Sequence, residues 1–105
     1  TVKHADINVE LTSATVPFIM DVRTADEFKA GFIEGAVNIA INDVPANLAQ
    51  LPADKAAPIV VLCQSGHRGS IVMMYLRMLG YTNVRNLGGG MNAWTGAELP
   101  VSAAG

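Results

Sequence analysis

Short apolar runs separated by small or charged residues set the pattern of this chain. Val16-Pro17-Phe18-Ile19-Met20-Asp21-Val22 is apolar without strict alternation, as in a strand buried on both faces of a parallel sheet. Ile59-Val60-Val61-Leu62 is the strongest strand signal, consecutive, β-branched and free of charge. Two further short strands are expected within Ile33–Ile41, after the Gly35-Ala36 turn, and over Thr82–Leu87. A short edge strand is placed at Val2–His4. Helices are expected between them. Asp6 is read as the cap of one that carries Val9, Glu10 and Leu11. Thr24 and Glu27 form a capping box for a second, with Phe28 facing inward and Gly31 ending it. Asp43 is read as the cap of a third, with Pro45 in its first turn, running to about Leu51. The fourth spans Ser70 to Leu79 and stops at Gly80. Its apolar residues surround the axis, which implies burial or a partner surface. Met91 to Thr95, carrying Trp94, is a last short helix after the Gly88-Gly89-Gly90 turn. Pro52–Pro58 is a loop, and the tail after Pro100 is expected to fray.

Strands alternating with helices predict an α/β fold, a parallel sheet covered on both faces by right-handed crossovers. In such sheets, sites lie beyond the carboxyl ends of the strands. The 105 residues are read as one domain, 1–105, without internal repeat. Half the residues are apolar and 15% are charged, the balance of a well-buried globule. A net charge of -2 gives no reason to expect nucleic acid, and no run of Lys or Arg suggests a membrane surface. The single cysteine precludes an internal disulfide. Neither a membrane-length apolar run nor a basic-then-apolar leader is present, so a cytoplasmic location is expected. The first residue is Thr1, not Met, which leaves a removed leader or a neighbouring domain open.

The chemistry concentrates in Cys63-Gln64-Ser65-Gly66-His67-Arg68-Gly69-Ser70, where a strand hands its thiol to a small-residue loop that opens a helix. Gly66 and Gly69 let backbone N–H groups turn inward as an anion-binding nest, reinforced by the helix N-terminus. Arg68 adds a permanent forked cation. Such a setting favours the thiolate, and the same donors can hold an oxyanion beside it. Cys63 is therefore the candidate nucleophile, and Gln64, Ser65, Gly66, His67, Arg68 and Gly69 the candidate substrate cradle. The competing reading, a buried structural thiol, fits poorly with the Gly, Ser and Arg neighbours. His67 can face either substrate or solvent. Asp21 and Arg23 read as scaffold, His4 as an exposed terminal residue, and Met73, Met74 and Met78 as core or interface filler. Trp94 reads as closing the core. One Cys and two His at scattered spacing give no metal site. Gly88–Gly90 lacks the spacing of a dinucleotide fingerprint, and no cofactor is expected.

Three stretches resemble the signatures of the rhodanese family, in order and over nearly the whole chain. They are Asp21-Val22-Arg23 with Glu27-Phe28 and Gly31 to Ile39, the loop Cys63 to Arg68, and Gly88 to Trp94. The resemblance implies an α/β rhodanese-like domain with a central five-stranded parallel sheet, and transfer of a sulfane sulfur through a cysteine persulfide. It implies a small anionic donor, with thiosulfate favoured over mercaptopyruvate because of Arg68, and a thiol or cyanide acceptor. Two positions depart from the family pattern. Phe32 stands where the family usually has His, within the scaffold signature. Gly69 stands where Ser or Ala is frequent, which costs about 1 kcal/mol of helix propensity and leaves the nest intact. The similar phosphatases and arsenate reductases have a loop one residue longer, whereas Cys63 to Arg68 is the six-residue form. That length favours attack on sulfur over phosphorus. A carrier or interaction module, handing persulfide sulfur to an acceptor protein with little small-molecule turnover, is the alternative the resemblance also allows.

Overall fold

A computed structural model describes residues 2–13 and 16–102. Four parallel strands form one sheet in the order β2-β1-β3-β4: β1 Phe18–Asp21, β2 Val37–Asn38, β3 Ile59–Leu62 and β4 Val84–Asn86. Helix α1 is His4–Glu10, α2 Ala25–Ala30, α3 His67–Met78 and α4 Gly90–Gly96, and 3-10 turns occupy Ile41–Asp43 and Pro45–Gln50.

The sheet has four strands rather than the five expected. The fifth is reduced to one parallel bridge, in which the Val2 N–H reaches Asn86 O and the Gly88 N–H reaches Val2 O. Lys3 already occupies the N-cap position of α1, so the chain turns helical before a second pair can form. For the same reason Asp6 lies in the first turn instead of capping, and His4 is a half-buried helix residue rather than an exposed end. Asp43 likewise caps no helix through its side chain. It ends one 3-10 turn, and Val44 stands at the head of the next. α3 begins three residues before the expected Ser70, at His67, because Gly66 adopts the left-handed conformation (φ 100°) and caps it through the backbone. The tail is paired as far as Ser102, which exchanges both backbone bonds with Phe32. The part of the expected fraying at 103–105 lies outside the described residues.

Two apolar layers flank the sheet, and β3 shows how the period-2 alternation divides them. Ile59, Val61 and Cys63 join the layer under α3 and the 3-10 turns, with Met20, Val72 and Leu76. Val60 and Leu62 join the layer under α1 and α4, with Ile7, Leu87, Met91 and Trp94. All four β3 side chains are fully buried, each contributing about 1.5–3 kcal/mol on removal from water. Trp94 is core, its indole N–H donating to Pro100 O. On α2 the capping box forms as expected: Glu27 N–H donates to Thr24 Oγ1 at 3.2 Å and Thr24 N–H to Glu27 Oε1 at 3.0 Å. Phe28 is half-buried and stacks on Phe32, with ring centroids 4.4 Å apart. Among the described residues no helix is long and apolar enough to cross a membrane.

Candidate active site

Cys63 follows β3 directly, at the carboxyl edge of the sheet where the strand order reverses between β1 and β3. Its side chain is fully buried, and its Sγ accepts a hydrogen bond from the Gly66 N–H at 3.0 Å. Gly66 can point that N–H back at the sulfur because its positive φ folds the loop between strand and helix. The twelve-residue α3 then starts at His67, with its positive dipole end at the loop. His67 itself is exposed.

Outside the loop, three devices hold its shape. The first is α4. Met91 N–H donates to Cys63 O at 2.8 Å and Asn92 N–H to Gln64 O at 2.9 Å, so free donors of one helix terminus fix two consecutive loop carbonyls. Gly90 makes the approach possible: a Cβ there would sit 2.2 Å from Cys63 O. Sequence patterning shows this segment only as a turn before a helix. The family signature over Gly88–Trp94 was the available signal that it belongs with the loop.

The second is Arg23. Its Nε and Nη2 clasp the fully buried Asp21 carboxylate at 2.8–3.1 Å, while Nη1 reaches Glu27 O and Gln64 Oε1 and Nη2 also reaches Gly31 O. Gln64 in turn donates to Asn92 Oδ1 at 2.6 Å. The scaffold reading of Asp21 and Arg23 thus acquires a purpose: one buried pair ties the end of β1, two carbonyls of α2 and its C-cap, and Gln64 of the loop together.

The third is Asn86, at the end of β4. Its Nδ2 donates to Gly66 O and Ser70 Oγ, and its buried Oδ1 lies against Gly69, without a hydrogen-bond partner among the described residues. A Cβ on Gly69 would fall 2.2 Å from that oxygen. The departure at Gly69 therefore has a cause in packing: Asn86 occupies the volume a side chain would need. Gly69→Ala is expected to destabilise the chain by about 1–3 kcal/mol, the usual cost of overpacking. Urea unfolding should further show positive coupling with Asn86→Ala, whose smaller side chain frees the space. Additive losses would disprove the contact.

Arg68, expected as a cation on the loop, stands in the first turn of α3. Its Nη1 and Nη2 donate to Oε1 and Oε2 of Glu27 at 2.9 and 3.0 Å, a bidentate pair bridging α3 and α2. Arg68, with Thr24 second, holds the Glu27 carboxyl at about 2, well below its ordinary 4.5, and Glu27 in return raises Arg68. The pair is therefore ionised at neutral pH. Glu27 drew notice in the sequence as a helix cap and within the first family signature, and its 41-residue separation from Arg68 leaves no local signal of the pairing. Beside the loop lies an open cavity of about 330 Å3, lined among others by Arg23, Glu27, Gln64, Met91 and Thr95.

Strand, loop and helix in this arrangement define an α/β domain with a buried cysteine at the head of a loop on the sheet's carboxyl edge. A family model for the rhodanese-like domain matches residues 5–97, and the chain belongs to that family. A sulfurtransferase of Allochromatium vinosum is 34% identical over 85 residues, covering 81% of this chain and 78% of that protein. The thiosulfate sulfurtransferase GlpE of Shewanella oneidensis is 34% identical over 94 residues, covering 88% of this chain and 91% of that one. Among solved structures, a rhodanese-related protein from Thermoplasma volcanium is similar with a TM-score of 0.86 at 25% identity, over 97% of this chain and 96% of that one.

Proposed function

We propose that the chain is a sulfurtransferase that carries a sulfane sulfur as a persulfide on Cys63, with thiosulfate as donor. The observation that carries this reading is the Gly66 N–H directed at Cys63 Sγ at the head of α3, in a loop of six residues. The names of the sulfurtransferase relatives support it. In the first half-reaction the Cys63 thiolate attacks the outer sulfur of thiosulfate. A sulfur–sulfur bond forms to Cys63, the one within thiosulfate breaks, and its electron pair leaves with sulfite. The Cys63 persulfide anion that remains is stabilised by the Gly66 N–H and the α3 terminus. In the second, a thiolate or cyanide attacks the outer persulfide sulfur and the Cys63 thiolate is restored. Gln64, Ser65, His67, Arg68 and Gly69 complete the cradle around the nucleophile. Incubation with thiosulfate should add one sulfur atom to the intact mass, mapped to Cys63, with release of one equivalent of sulfite. Absence of both refutes the reading, and hydrolysis of an aryl phosphate without sulfur uptake would replace it with a phosphatase.

A second reading is favoured by one specific observation. Ile71, Met74 and Met78 lie at helical spacing on α3 and are well exposed, Met78 at 84%. The expected burial of this helix holds only for Gly69, Val72 and Leu76. An apolar stripe starting two turns beyond the nucleophile suits a carrier that docks on an acceptor protein and turns over small donors slowly.

A further inference from the structure

We propose that Glu27 is a specificity-determining residue, a built-in competitor that an anionic donor must displace from Arg68 before it gains that cation. The inference rests on the persulfide reading above and adds to it which charge on the donor is tolerated and why.

Three features of the structure converge on Glu27. The first is saturation. Both terminal nitrogens of Arg68 are committed to the two oxygens of one carboxylate, in the fork-to-fork geometry that an oxyanion donor would otherwise take. The second is the character of the adjoining cavity. Its lining includes Glu27 and one cation, Arg23, whose Nε, Nη1 and Nη2 already donate to Asp21, Glu27 O, Gly31 O and Gln64. An anion entering that cavity thus meets no unclaimed guanidinium. The third is exchangeability. The Arg68 and Glu27 side chains are each about one-third exposed, at 32% and 33%, and pairs of that exposure hold together weakly. Arg68 can therefore pass from Glu27 to a donor oxyanion, whereas the buried Arg23–Asp21 pair cannot exchange in this way. Arg68 stands in the first turn of α3, directly after the loop that carries Cys63.

Glu27→Gln tests this, because glutamine serves equally in a capping box and leaves the Thr24 interaction available. Steady-state transfer from thiosulfate to cyanide should show KM for thiosulfate lowered about two- to fivefold, the scale set by losing a partly exposed ion-pair competitor, with kcat changed less. That KM should also rise more steeply with salt than in the unmodified protein, since a freed cation is screened more readily than a paired one. In an Arg68→Gln background the Glu27→Gln effect should vanish, a coupling that a purely structural role for Glu27 would not produce. If the glutamine variant does not fold, Glu27→Asp, too short to keep both hydrogen bonds, should lower KM in the same direction. An unchanged or raised KM in these variants, or an equal fall without Arg68, overturns the inference while leaving the sulfurtransferase reading standing. Failure of the unmodified protein to take up sulfur from thiosulfate overturns the sulfurtransferase reading itself, and the inference with it.

Discussion

Replacing Gly90 with alanine is expected to slow sulfur uptake by Cys63 about a hundredfold, the order of loss that follows a misplacement of about 1 Å in a reacting group. Two independent constraints meet at this residue. Its φ of 57° is left-handed, a region that a side chain enters only at a cost of about 1–2 kcal/mol. The added Cβ would also stand 2.2 Å from Cys63 O and 2.8 Å from the carbonyl carbon and oxygen of Gln64. These are backbone atoms of the loop itself, so relief cannot come from rotating a side chain. Either α4 retreats and releases both loop carbonyls, or the loop shifts and takes the Cys63 sulfur away from the Gly66 N–H. Stability should fall by about 2–4 kcal/mol from strain and overpacking together. Gly96→Ala is the matching control: it lies on the same helix with nothing within 4 Å of its Cβ position. It should unfold no earlier than the unmodified protein and take up sulfur at the same rate. Comparable activity in the two variants would show that α4 does not hold the loop.

The second large effect is thermodynamic. Arg23→Met should destabilise the fold by about 3–5 kcal/mol, because it leaves the Asp21 carboxylate buried without a counter-charge. Against a total stability of about 5–15 kcal/mol, that is a substantial part of what keeps the chain folded. The unfolding midpoint should drop by roughly 15–30 °C for a domain of this size. Arg23 also satisfies the carbonyls of Glu27 and Gly31 and the Gln64 side chain, so the loss is not confined to one pair. Removing both charges, with Asp21→Asn added to Arg23→Met, should restore part of the stability, since an unpaired buried charge costs more than a neutral pair. A single variant that melts within a few degrees of the unmodified protein would show that water reaches Asp21 and that the pair is not a buried hub.

What the sequence made legible, and what it hid, divides along the range of the interactions concerned. β3 was readable because four consecutive buried apolar residues leave few alternatives, and the Thr24 capping box because its two members lie three residues apart. The loop was readable as a thiol site because strand, nucleophile, glycines and helix are contiguous. The missing fifth strand was not, since Val2 pairs with Leu87 from the far end of the chain and local pattern cannot show that pairing stops after one residue. The early start of α3 was hidden by its cap, a glycine acting through backbone conformation where no Ser, Thr or Asp side chain marks the boundary. Arg68 was read as a cation of the loop, whereas it stands in the first turn of α3 with both terminal nitrogens on Glu27. Its partner lies on another helix, and only the fold brings Glu27 within reach. Asn86 escaped attention for a related reason: its role is to fill the volume beside Gly69, and a volume has no motif.

The hydrogen bonds from α4 to the loop carbonyls also have a consequence in time. Synthesis runs from the N-terminus, and domains are built up as the chain emerges. All four strands and Cys63 are made before residues 90–92, which fix the carbonyls of Cys63 and Gln64. A nascent chain halted before Gly90 carries every strand of the sheet and the cysteine, yet lacks the last contact that shapes the loop. The loop around Cys63 is thus completed late, after the strands on which it is built.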